Sequence, residues 1–152
     1  MLSGAPNPSA PPSLRCVVYV SSATRLFTDP ELQMLLEQSR ERNARQGITG
    51  MLLYKDGNFL QLIEGPEPAV RALHARIGTD TRHRHVITVF DEMVHERQCP
   101  DWSMGYVPAE RLPRSVLSSF TPFLTAEGDA RRARTMHGPL GDALTQFREH
   151  VR

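Results

Sequence analysis

Asn43–Gly65, NARQGITGMLLYKDGNFLQLIEG, decides how this chain folds. It reads as two β-strands joined by the turn Lys55-Asp56-Gly57-Asn58, because Asp-Gly between two apolar runs is a strong local hairpin signal. On the second strand, alternation places Phe59, Gln61 and Ile63 on one face and Leu60, Leu62 and Glu64 on the other. An amide therefore stands between two large apolar side chains. Left unpaired after burial, it would cost about 1–3 kcal/mol, so Gln61 needs a partner.

Working outward, Leu14–Ser21 (LRCVVYVS) is a β-rich run expected to form a first, central strand, with Val17, Tyr19 and Ser21 on one face and Cys16, Val18 and Val20 on the other. Thr28-Asp29-Pro30-Glu31 is a helix start, with Thr28 or Asp29 as cap and Pro30 preset for the first turn; Gly47 offers the stop. The helix is expected over 30–45, with an apolar stripe of Leu32, Leu35 and Leu36 that continues onto polar Ser39 and Asn43. After the hairpin, Val70, Leu73 and Ile77 at helical spacing predict a second amphipathic helix over 66–78. His85–Val94 reads as a long strand, and Asp101–Val107 as a last strand with Trp102, Met104 and Tyr106 on one face.

The order β-α-β-β-α-β-β is that of an α+β, ferredoxin-like split βαβ arrangement with one extra strand and two helices on one face of the sheet. Beyond it, 113–123 and 139–151 have helical pattern, the latter lining up Leu140, Leu144, Phe147 and Val151. These helices are expected either to cover the other face of the sheet or to meet another subunit. The chain divides into a Pro-rich tail over 1–13, expected to be disordered, a folded domain over 14–110, and a helical extension over 111–152 for capping or oligomerisation.

The 152 residues, 39% hydrophobic, suffice for one domain with a core. Eighteen basic against seventeen acidic residues leave a net charge of +1, which gives no argument for nucleic acid or for an anionic membrane surface. Two cysteines without ligand-like spacing indicate neither a disulfide framework nor a zinc finger, so a reduced, cytoplasmic protein is expected. No apolar run is long enough for a membrane span, and no signal peptide is legible.

Tyr19 on the first strand, Asn43 on the core stripe of the first helix and Gln61 on the hairpin should converge if strands one and three are neighbours. Such groups can satisfy one another and nearby backbone. Two carboxamides and a phenol around one slot also suit a planar heterocycle whose edge alternates C=O and N–H.

At these residues the sequence resembles the BLUF domain, a blue-light sensor module that holds a flavin between the two helices of a ferredoxin-like fold. The resemblance rests on Tyr19 in VVYVSS, Ser39 and Asn43 in SRERNARQGITG, Gln61 in NFLQLIEGPEPAV, Asp80, Arg82 and His83 in GTDTRHRHV, and Trp102 and Met104 in DWSMGY. It implies that Asn43 and Gln61 hydrogen-bond the isoalloxazine edge and that Tyr19 gives an electron and a proton to the photoexcited flavin. Gln61 would then rearrange its amide, by rotation or tautomerisation, and return thermally.

The resemblance also implies FAD as cofactor and signal output through Trp102 and Met104, a pair that ordinary core packing explains equally well. Phe59 and Ile77 are expected against the flavin, and Asp80, Arg82 and His83 at its ribityl and phosphate end. Arg42 either covers the ring or faces solvent. His83 and His85 are two potential metal ligands without a third.

No nucleophile-base pair is evident, and roughly 40 residues follow the sensor-like stretch, so a non-enzyme sensor of the short type is expected. Its output would be a changed contact with a protein partner or a homo-oligomer. Two alternatives stand beside this reading: a flavin-free ferredoxin-like binding module, and a small acylphosphatase-type hydrolase, for which Ser21-Ser22-Ala23-Thr24-Arg25 is an unconvincing phosphate loop.

Overall fold

The computed structural model describes residues 10–125 and 132–150. Most of the tail over 1–13, and Val151 of the last helical stripe, lie outside them. The elements are β1 (Leu14–Ala23), α1 (Asp29–Gln46), β2 (Thr49–Lys55), β3 (Asn58–Pro66), α2 (Glu67–Thr79), β4 (His83–Val94), β5 (Gly105–Tyr106), a 3₁₀ turn (Ala109–Arg111), α3 (Arg114–Thr125) and α4 (Pro139–His150).

The β2–β3 hairpin closes where the sequence placed it. Asp56 and Gly57 have φ of 50° and 83°, and two consecutive positive φ values give the turn whose twist matches that of the flanking strands. At the start of α1, Thr28 is the cap. Its hydroxyl accepts from Glu31 N–H at 3.3 Å, and the Glu31 carboxylate accepts from Thr28 N–H at 3.0 Å, a reciprocal capping box.

The sheet order is β4-β1-β3-β2-β5, antiparallel except for the short parallel β2–β5 pair. β1 is central as expected, and its register against β3 sets Tyr19 opposite Gln61. On one face, α1 and α2 bury Leu32, Leu36, Val70 and Leu73 over Val17, Phe59 and Ile63. On the other, α3 and α4 bury Phe120, Phe123, Leu140, Leu144 and Phe147 against Val18, Leu60 and Leu62. The sheet is thus covered on both sides, and free Cys16 and Cys99 are buried in the second layer. No helix among the described residues is long and apolar enough to cross a membrane.

The last strand differs from expectation. Only Gly105 and Tyr106 pair with β2; residues 100–104 form turns and bends after Pro100. Regular alternation is therefore lost before it reaches Trp102. Met104 belongs to the core layer beneath α1 and α2, whereas Trp102 packs against the layer on the opposite face, which α3 and α4 cover. The physical reason is that the backbone here answers to separate distant groups rather than to one ladder. Gly50 N–H donates to the Trp102 carbonyl at 3.0 Å and Asn43 Nδ2 donates to that of Ser103 at 2.8 Å. A Cβ on Gly105 would lie 2.5 Å from the indole, so the ring occupies the space that glycine leaves.

Candidate functional site

Between α1 and α2 the sheet face carries a cavity of about 270 Å³. Its floor comes from the strands: Tyr19 of β1, Leu52 of β2, Phe59 and Gln61 of β3. Its walls come from the helices: Leu35, Ser39, Arg42 and Asn43 on one side, Leu73, Arg76 and Ile77 on the other. Asp80, Arg82 and His83 line it beyond the end of α2, and Met104 enters from the far edge. The ten residues expected around a ligand (Tyr19, Ser39, Arg42, Asn43, Phe59, Gln61, Ile77, Asp80, Arg82 and His83) all line this one space. Of the two residues expected to carry signal onward, Met104 lines it and Trp102 does not.

Tyr19 is buried, and burial pushes its phenol well above the ordinary range, so it stays protonated and acts as a donor. It donates to Gln61 Oε1, which directs the other end of the amide, Nε2, at the thioether of Met104, 3.4 Å away. Gln61 thus has a strong acceptor contact on one side and a weak sulfur acceptor on the other.

Asn43 is 1% exposed. Its Nδ2 donates to the Ser103 carbonyl at 2.8 Å, but its Oδ1 is buried without a hydrogen-bond partner. One residue earlier, Arg42 Nε is likewise buried and unpaired. Burial, with Arg76 and Arg82 nearby, lowers the pKa of the Arg42 guanidinium. An unfilled acceptor and an unfilled donor therefore adjoin the same space. Each orphan costs about 1–3 kcal/mol until a ligand supplies its complement. One acceptor and one donor so placed fit the N–H and C=O edge of an isoalloxazine ring.

At the other end, Arg82 donates to both oxygens of Asp80, the shortest contact being 2.6 Å, and this holds the Asp80 carboxyl down at about 2. The pair is internally neutral. Arg42 and Arg76 have no ion-pair partner among the described residues, so the mouth of the cavity carries an excess of positive charge. His83 bridges the two layers: Nδ1 lies 2.8 Å from Ser21 Oγ and Nε2 lies 3.0 Å from the Ile77 carbonyl. The neutral tautomer with the proton on Nε2 satisfies both contacts, and burial lowers the pKa of this imidazole accordingly.

Sequence reading missed Phe27, Leu52, Arg76 and Thr79 as lining residues. For Arg76 a signal existed, since it sits beside Leu73 and Ile77 on the inward stripe of α2. Leu52 could be found only from the register that sets it opposite Gln61.

A family model described as "Sensors of blue-light using FAD", BLUF, matches residues 14–105. The chain is 39% identical to the photoactivated adenylate cyclase subunit beta of Euglena gracilis over 111 residues, which is 72% of this chain and 12% of that protein. It is similar in structure to BlrB, a BLUF protein in its dark state, with 29% identity and a TM-score of 0.69, covering 91% of this chain and 96% of that one. A structure of Klebsiella pneumoniae BlrP1 with FMN and cyclic diGMP is 28% identical with a TM-score of 0.62, covering 74% of this chain and 31% of that chain. Matched from β1 through both cavity helices and β4 to the start of β5, the chain belongs to the BLUF family of blue-light sensors.

Proposed function

We propose that the protein holds FAD non-covalently between α1 and α2 and reports blue light by rearranging the hydrogen bonds of Gln61. The observation that carries this reading is the buried, unpaired Oδ1 of Asn43 beside the Tyr19–Gln61–Met104 chain. Asn43 and Gln61 would hold the ring edge, with Ser39, Phe59 and Ile77 around the ring and Arg42 over it. Asp80, Arg82 and His83 would hold the ribityl and phosphate end. The positive mouth formed by Arg42 and Arg76 favours a phosphate-bearing flavin.

The bound flavin supplies absorption of blue light and, once excited, a strong oxidant. The rest is done by the chain's own groups. Tyr19 is the oxidisable side chain at the site, kept neutral by burial, with its Oη proton already directed at Gln61 Oε1. Loss of an electron to the excited flavin would make that proton acidic, and it would follow the electron by way of Gln61 Oε1; the bond that fixes the amide would then be gone, leaving Gln61 free to rotate or tautomerise. Nε2 then leaves Met104 Sδ, which reports the change to residues 102–104.

In this reading residues 14–110 are the sensor and 111–152 the extension through which output leaves, as a changed contact with a protein partner or within a homo-oligomer. The protein is a cytoplasmic sensor and not itself an enzyme. The deciding experiment is an absorption spectrum of the purified chain before and after blue light, with a reversible red shift expected. Colourless protein that releases no flavin on heating, or a flavin spectrum that light does not move, would overturn the reading.

A further inference from the structure

Glu64 is 0% exposed, lies on the face of β3 away from the cavity three positions after Gln61, and forms no ion pair among the described residues. Burial raises the pKa of this carboxyl, and the hydrogen-bond donors around it, with the Arg97 guanidinium nearby, oppose that shift. Gln98 N–H donates to Oε1 at 2.6 Å; Cys99 N–H and Thr49 Oγ1 donate to Oε2 at 2.7 and 3.0 Å. Arg97 braces the same turn, donating to Thr49 Oγ1 and to the Gly47 carbonyl, each at 2.8 Å.

This clasp is the start of a short span that ends in the cavity. Past Cys99, successive carbonyls of Trp102, Ser103 and Met104 are taken by Gly50 N–H at 3.0 Å, Asn43 Nδ2 at 2.8 Å and Arg40 Nε at 2.9 Å. The Met104 thioether takes Gln61 Nε2. On the outer side, Arg148 of α4 donates to the Gln98 carbonyl. Residues 97–104 are therefore gripped by the cavity amides at one end and by Glu64 and α4 at the other.

We infer that Glu64 is a positioning residue for the light response: its two carboxylate oxygens fix adjacent N–H groups so that Ser103 and Met104 occupy the amides of Asn43 and Gln61 in the dark. The inference rests on the light-sensing reading above. It requires a carboxylate rather than any polar group, because a carboxamide of the same shape accepts at one atom and opposes the second N–H with its own.

The test compares Glu64→Gln with Val116→Ala, which thins the core on the same side of the sheet but removes no hydrogen bond from this span. Two quantities are measured on the full chain: hydrogen exchange of the Gly50 amide in the dark, with and without FAD, and thermal recovery after blue light. In Glu64→Gln, Gly50 exchange should rise about tenfold, the factor for one hydrogen bond to a charged group. Recovery should slow in the same variant, since the dark state loses the Met104 contact. Thr49→Val, which removes one donor of three, should move both in the same direction by less, and carries the test if Glu64→Gln does not fold. Val116→Ala should lower the melting temperature yet leave recovery unchanged.

Wild-type exchange and recovery in Glu64→Gln, or equal slowing in Val116→Ala, would overturn the inference. Should the wild-type chain bind no flavin, the light-sensing reading fails by itself; Gly50 exchange in the unloaded chain still decides whether Glu64 positions the span.

Discussion

Tyr19 and Gln61 are direct cross-strand partners of β1 and β3, and the phenol of one donates to the amide oxygen of the other at the floor of the cavity. The central position of β1 makes this contact a property of the sheet, not of a loop. Tyr19→Phe keeps the shape of the floor but leaves Gln61 Oε1 without its donor. A stability loss of about 1–3 kcal/mol is expected, with loss of the light-induced shift and retention of flavin. Gln61→Leu should also abolish the shift. The double variant should regain part of the stability, because neither partner is then stranded. Melting curves and difference spectra check both, and a Gln61→Leu protein that photocycles normally would refute the assignment.

Asn43 predicts a binding effect. Its unpaired Oδ1 is the acceptor the cavity offers a ligand N–H, so Asn43→Ala should weaken flavin binding by about tenfold or more. A fluorescence-quenching titration with FAD reads this directly. Unchanged affinity would remove Asn43 from the ring edge.

Trp102 and Met104 should behave as residues of opposite faces. Met104→Ala removes the thioether that Gln61 Nε2 meets, and is expected to shift the dark absorption band and alter recovery. Trp102→Phe should cost stability, about 1 kcal/mol or more from lost packing, while the dark band stays in place. Equal spectral effects from the two substitutions would contradict the separation.

His83 gives a pH dependence with a definite sign. Burial lowers its pKa below the ordinary 6.5, so under that pH the unfolded chain takes up a proton that the folded imidazole resists. Stability should fall as pH drops below 6.5, as Nδ1 loses its role as acceptor from Ser21, and this contribution should be flat above it. Asp80 remains ionised through this range, since Arg82 holds it at about 2. Melting temperatures between about pH 7 and pH 5 should decline more steeply for wild type than for His83→Gln. Parallel curves would show that the imidazole does not titrate as described.

The hairpin, the cap of α1 and the inward faces of β1 and β3 were legible in the sequence, because each is fixed by groups a few residues apart. Asp56-Gly57 can adopt the angles the turn needs, Thr28 and Glu31 satisfy each other, and strand alternation sorts Gln61 from Leu60 without outside help. The three polar groups of the cavity followed once neighbouring strands were assigned.

The face taken by Trp102, the clasp on Glu64 and the covering of the second sheet face by α3 and α4 were decided only by tertiary structure. Glu64 did leave a mark, as a charge in an apolar alternation, but its donors lie 15, 34 and 35 residues away and the Ser103 carbonyl answers to Asn43 across 60. Periodicity reports which way a regular strand points. Where the backbone leaves the ladder and takes its hydrogen bonds from scattered partners, the direction of a side chain is set by those partners and has no period to read.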